Sequence, residues 1–133
     1  MSQENVETVR RAINAFNHGD LDVWVNVLAP EFVYTPSGAV VGIGGTYRGA
    51  DGFKRFLESF WDEFDEPVVE LGELLDEGDH VLAAVTFRGR GKHSGIATSW
   101  DLWQLWTLRD GKAVRGQGFT DKTEALEAAG LRE

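Results

Sequence analysis

Ser99-Trp100-Asp101-Leu102-Trp103-Gln104-Leu105-Trp106-Thr107-Leu108, followed by the turn Asp110-Gly111, decides how this chain folds. As a strand, it places Trp100, Leu102, Gln104, Trp106 and Leu108 on one face and Trp103 and Leu105 on the other. The tryptophans, three apart, also fit one side of a helix. The Asp-Gly turn and the aromatic, threonine-containing composition favour the strand. A half-exposed antiparallel strand needs one apolar face. This run has two, so the fold must cover both, and Gln104 stands as the polar side chain in the longer row.

Working outward, Ala113–Thr120 is the returning strand of the hairpin. Val68–Leu75 and His80–Arg88, joined by Glu77-Gly78-Asp79, form a second hairpin with Val81, Ala83, Val85 and Phe87 on one face. Upstream, Phe53, Phe56, Leu57, Phe60, Trp61 and Phe64 mark a helix over 50–65 with a broad aromatic stripe, suited to lying across a sheet. Val6, Val9, Ile13 and Phe16 mark an amphipathic helix over 3–17 that ends at His18-Gly19. Asp20 is the expected N-cap of a shorter helix carrying Leu21, Trp24, Val25 and Leu28, which Pro30 stops before the strand Phe32–Thr35. Residues 36–49, with Pro36 and five glycines, read as a long loop. Asp121-Lys122-Thr123-Glu124 announces a last helix closing at Gly130. The order helix-helix-strand-helix, then four strands and a helix, implies α+β: helices on one side of a strongly bent sheet.

Composition narrows the functions. The 133 residues suit one domain, 1–133, with a core of its own. The absence of cysteine removes thiol catalysis, disulfides and cysteine-zinc sites. A net charge of −9 with scattered Lys and Arg argues against nucleic acid. No segment has the layout of a signal peptide or the length of a membrane span, so a cytoplasmic protein without membrane contact is expected. No nucleophile elbow, phosphate loop, dinucleotide-binding glycine motif or His-Glu-x-x-His occurs. His18, His80 and His93 are far apart in sequence, and neither a metal nor a cofactor is expected.

The remaining candidates are few. Asp121 is the expected N-cap of the last helix; facing an apolar cavity instead, it would be the catalytic acid or base. Asp101 points away from the Gln104 row and is expected to pair with Arg88 or Arg90. A buried Gln104 must find a partner, either Gln117 on the neighbouring strand or an oxygen of a ligand. Tyr34 and Tyr47 are further donors near the mouth of any pocket.

Phe16-Asn17-His18-Gly19-Asp20-Leu21-Asp22, Gly45-Thr46-Tyr47-Arg48-Gly49, and Trp106-Thr107-Leu108-Arg109-Asp110-Gly111-Lys112 are distinctive together, as are Thr120-Asp121 and Glu124-Ala125-Leu126-Glu127-Ala128-Ala129-Gly130-Leu131. In this combination, over essentially the whole chain, the sequence resembles the SnoaL-like branch of the nuclear-transport-factor-2-like superfamily. The resemblance implies a cone-shaped α+β fold, a curved, mostly antiparallel sheet wrapped around three N-terminal helices, with a short C-terminal helix. It implies a pocket for a small hydrophobic or cyclic molecule, lined by Gln104, Gln117, Trp106, Tyr34, Phe16, Trp61 and Phe119. It also implies a homodimer through the outer sheet face, covering Trp103 and Leu105. Fold membership does not fix chemistry. Ketosteroid isomerase uses an Asp base and an oxyanion hole of Tyr and protonated Asp. The corresponding positions here hold Thr35 or Pro36, Ala12 and Gln104, so that reaction is not expected. The Arg-x-Asp element of limonene-epoxide-hydrolase-like proteins is not matched by Ser99-Trp100-Asp101, and the His of related sequences is replaced by Gln104. Two functions stand: cofactor-free isomerisation, cyclisation or hydrolysis with Asp121 as acid or base, or a non-catalytic ligand-binding or dimeric interaction domain.

Overall fold

The tryptophan run forms a strand, and it sits near the middle of a six-stranded sheet. A computed structural model describes residues 2–36 and 45–130; much of the loop expected over 36–49 therefore lies outside the described residues. The elements in chain order are α1 (Ser2–Asn17), α2 (Asp22–Val27), β1 (Leu28–Thr35), β2 (Tyr47–Arg48), α3 (Gly49–Glu63), β3 (Phe64–Glu77), β4 (His80–Gly91), β5 (Ala97–Arg109), β6 (Lys112–Phe119) and α4 (Lys122–Ala128). The sheet order is β2-β1-β6-β5-β4-β3, with β1 and β6 parallel and the other neighbours antiparallel. This is the expected α+β architecture: an open, curved, mixed sheet with helices.

The two faces of β5 are covered by different elements. Its inner row packs Trp106 and Leu108 into a core shared with Val9, Ile13 and Phe16 of α1, Trp24 of α2, and Phe53, Phe56 and Leu57 of α3. On the outer face, Leu105 and Leu82 are sealed by Ala125 and Leu126 of α4. Leu105, expected at a partner interface, is 1% exposed within a single chain. That expectation is corrected because α4 already covers the residue. Trp103 stays half-buried, with Lys122 Nζ lying 5.3 Å from its ring centroid.

Both strand-internal prolines correct expected boundaries. Pro30 lies within β1, and Pro67 within β3, which begins at Phe64. Each falls at a break in pairing register, between Leu28 and Val33 and between Asp65 and Val68. A proline cannot donate to a ladder, so an irregularity is where a strand tolerates one. The short helix also starts later than expected: Leu21, not Asp20, is its N-cap, and no side chain caps it.

Two side chains tie α1 to the sheet. Asn17 Nδ2 donates to Val69 O at 2.9 Å, and Val69 N donates to Asn17 Oδ1 at 2.7 Å. One amide thus satisfies a donor and an acceptor on the edge strand β3, which blunts part of an edge open to pairing. Asn5 Nδ2 donates to Gly78 O in the β3–β4 turn at 3.1 Å. No helix among the described residues is long and apolar enough to cross a membrane.

Candidate functional site: an aromatic cavity between helices and sheet

Aromatic side chains from every layer converge beneath the sheet. α3 contributes Phe53, Phe56 and Phe60 at helical spacing, α2 contributes Trp24, and the inner rows of β1, β4 and β5 contribute Tyr34, Phe87, Trp100 and Trp106. Phe53 stacks on Phe56 and Phe87 on Trp100, but other rings meet edge-on or tilted, as for Trp24 and Phe53 at 5.2 Å and Tyr34 and Phe53 at 4.9 Å between centroids. Rings that meet this way leave gaps that flexible aliphatic chains would fill. A cavity of about 70 Å³ remains between them. That is several times the roughly 10–15 Å³ that one water needs in the same measure.

The register of β6 shapes this space. Gly116 lies opposite Trp106 and Gly118 opposite Gln104. A Cβ at Gly116 would come within 2.7 Å of Tyr34 Cδ1 and 2.8 Å of Trp106 Cζ3, so only glycine lets both rings approach the strand. Gln117 pairs with Leu105, and Phe119 with Trp103, on the other face. The expected Gln104–Gln117 bond is therefore corrected. A one-residue step in a strand reverses the face, and the inward positions are the glycines.

Of the expected ligand-binding residues, Phe16, Tyr34, Gln104 and Trp106 line the cavity. Gln117, Phe119 and Trp61 are not among the described lining residues. Phe119 joins the cluster beneath α4. Trp61 packs on Phe16 at 6.0 Å between centroids and beside Gly19, whose backbone turns with φ +73°. The unexpected lining residues include Trp24, Phe53, Phe56, Phe60, Phe87 and Trp100. For Phe53, Phe56 and Phe60 the signal in the sequence is the broad aromatic stripe of the helix over 50–65, which reads equally well as simple packing against a sheet.

Gln104 anchors the polar part of the wall. Its Oε1 accepts a hydrogen bond from Trp106 Nε1 at 3.2 Å. Burial pushes the Tyr34 phenol well above its ordinary range, and a hydrogen bond from the Gln104 side chain partly opposes that. Tyr34 is the one titratable group among the described lining residues. Asp121 is exposed, and its Oδ1 accepts from Thr123 N at 2.7 Å as the N-cap of α4. It is not among the residues lining the cavity.

The remaining polar candidates have local partners. Asp101 accepts from Thr86 Oγ1 at 2.8 Å, while Arg88 pairs with Glu70 instead of Asp101, correcting the expected cross-strand pair. His18 Nδ1 lies 2.9 Å from Asn14 O and His80 Nδ1 3.1 Å from Thr107 Oγ1. His93 is exposed. Among the described residues, no three His, Asp or Glu side chains gather as metal ligands.

A curved sheet closed by helices over an aromatic cavity is the architecture of nuclear-transport-factor-2-like proteins. One from Burkholderia thailandensis E264 is 26% identical, with a TM-score of 0.80 over 88% of this chain and 90% of that one. Another, of unknown function, from Burkholderia pseudomallei K96243 is 25% identical, with a TM-score of 0.78 over 93% of this chain and 95% of that one. TerC, co-crystallized with polyporic acid, is 25% identical, with a TM-score of 0.77 over 93% and 96%. None of the curated proteins matches the chain. A family model for the SnoaL-like domain matches residues 9–116, and the chain belongs to that family.

Proposed function

We propose that this chain binds a small hydrophobic ring compound in the aromatic cavity and does so without acid-base turnover. One observation carries the reading. Among the described residues lining the cavity there is no carboxylate, imidazole or amine, and the phenol of Tyr34 is held in its neutral form. General acid-base catalysis needs a group whose pKa lies near the operating pH, within reach of the reacting atom. Crystallisation of the similar protein TerC with polyporic acid adds support for a ligand in this fold. A cofactor-independent isomerase, cyclase or hydrolase acting through Asp121 is the second reading. It requires that carboxylate to leave the cap in which it is engaged. Self-association through the outer sheet face at Trp103 belongs to the same proposal, with Leu105 beneath α4 rather than in the contact.

The test uses tetralin, a two-ring hydrocarbon without polar atoms. Calorimetric titration of the purified chain is expected to give saturable binding. Val85→Phe, which fills the cavity from β4, is expected to abolish it; Leu102→Phe serves the same purpose should the first variant fail to fold. Unsaturable binding, or equal binding by the filled variant, would sink the proposal.

A further inference from the structure

The aromatic cavity has a thin wall where α1 lies along the edge strand β3. An open groove of about 330 Å³ runs over that seam, lined by Arg10, Ile13, Asn14 and Asn17 of α1 and by Val68–Leu71 of β3. Ile13 and Val69 also line the cavity. The same two side chains thus face the groove on one side and the cavity on the other, and the wall there is a single layer. Among the described residues no main-chain hydrogen bond joins α1 to β3. The polar fastening of the seam is Asn17, whose amide donates to Val69 O at 2.9 Å and accepts from Val69 N at 2.7 Å. Beside it, Val9 and Ile13 meet Val69 and Leu71 within one apolar cluster.

The strand is held loosely at this point. β3 stands at the sheet edge, with β4 as its one neighbour among the described strands. Val68–Leu71 is a run of regular pairing between two register breaks, Asp65/Val68 and Leu71/Leu74. Such breaks leave residues unpaired and bend a strand locally, so this run can part from α1 while the rest of β3 stays in the ladder. Released from Asn17, the Val69 N–H and C=O face the groove, where water satisfies them; the same groups freed in a closed core would stay unpaired. We infer that ring compounds enter and leave the cavity through the α1–β3 seam, between Ile13 and Val69, and that Asn17 is the latch that holds the seam shut. Both side chains at the gap are aliphatic, so an apolar ring passes without desolvating a charge. Asn17 is not among the described lining residues of the cavity and acts through the position of Val69. This rests on the cavity being a ligand site.

Fluorine NMR of 6-fluorotetralin exchanging with the full chain measures association and dissociation rates separately from affinity. Asn17→Ala, which removes both bonds to Val69, is expected to raise both rates roughly tenfold, the effect of one net hydrogen bond, with affinity unchanged. A residue that merely stabilised the fold would lower the melting temperature and leave the rates alone. Asn14→Trp, which fills the groove from an exposed position on α1, is expected to slow both rates at unchanged affinity. Unaltered rates in either variant, or faster dissociation alone in Asn17→Ala, would overturn the inference and leave the ligand-site proposal standing. If Asn17→Ala does not fold, Asn14→Trp decides. Failure of the unaltered chain to bind 6-fluorotetralin would overturn both.

Discussion

Tyr34 shows how one side chain can report on the cavity without any ligand. Its phenol is buried and held neutral, whereas in the unfolded chain it ionises near its ordinary value of about 10. The sign follows from proton counting. Below that value both states carry the proton, and the stabilisation from burying a neutral phenol is fully present. Above it the unfolded state releases a proton that the folded state keeps, so stability falls as pH rises. The slope attributable to this one group approaches ~1.4 kcal/mol per pH unit. Urea unfolding followed between mildly and strongly alkaline pH is expected to lose stability more steeply in the unaltered protein than in Tyr34→Phe. Parallel slopes would show that Tyr34 is not buried as described. Residues were the least legible scale in the sequence. Gln104 stands out as a polar side chain in an apolar row, but the sequence leaves its partner open between Gln117 and a ligand oxygen. The true inward neighbours, Gly116 and Gly118, have no side chains by which a pattern can recognise them.

At the scale of elements, α4 has the most to explain. Asp121 caps it through Thr123 N, and Ala125 and Leu126 cover Leu82 and Leu105. Asp121→Ala is expected to lower stability by about 1 kcal/mol, the usual loss of an N-cap, with tetralin affinity unchanged. Thermal unfolding and calorimetry check both halves. Altered ligand affinity at unchanged stability would return Asp121 to the cavity chemistry of the second reading. Elements with strong periodicity were readable: α1, α3, the tryptophan strand and the cap of α4 all occur where spacing and turn residues place them. The boundaries that moved include the start of α2 and those at Pro30 and Pro67. A proline tells of a missing donor, but not whether the neighbouring strand has a register break to accommodate it.

For the whole molecule, the open matter is what meets the outer face of the sheet. Trp103 remains half-buried there, on β5, the strand that also carries Asp101 of the Thr86–Asp101 hydrogen bond, while the Arg88–Glu70 ion pair joins β4 to β3. Under the proposed self-association, the unaltered chain is expected to sediment as a dimer and Trp103→Glu as a monomer. Because each copy carries −9, raising salt should strengthen that association by screening the mutual repulsion. A monomer under all conditions, or a variant that still dimerises, would remove the interface.

The parallel pairing of β1 with β6 sets the timetable on which this protein can become functional. Tyr34 is made early on the ribosome, but Gly116, its pairing partner, belongs to the last strand. Until that strand arrives, the edge of β1 has no partner on that side, and the cavity has no floor. Such distant pairing slows folding, because the loop must close before its contacts form. A nascent chain therefore cannot complete this part of the cavity wall until β6 has been made. Any slowing of translation over the final strand would lengthen the interval of greatest risk of aggregation.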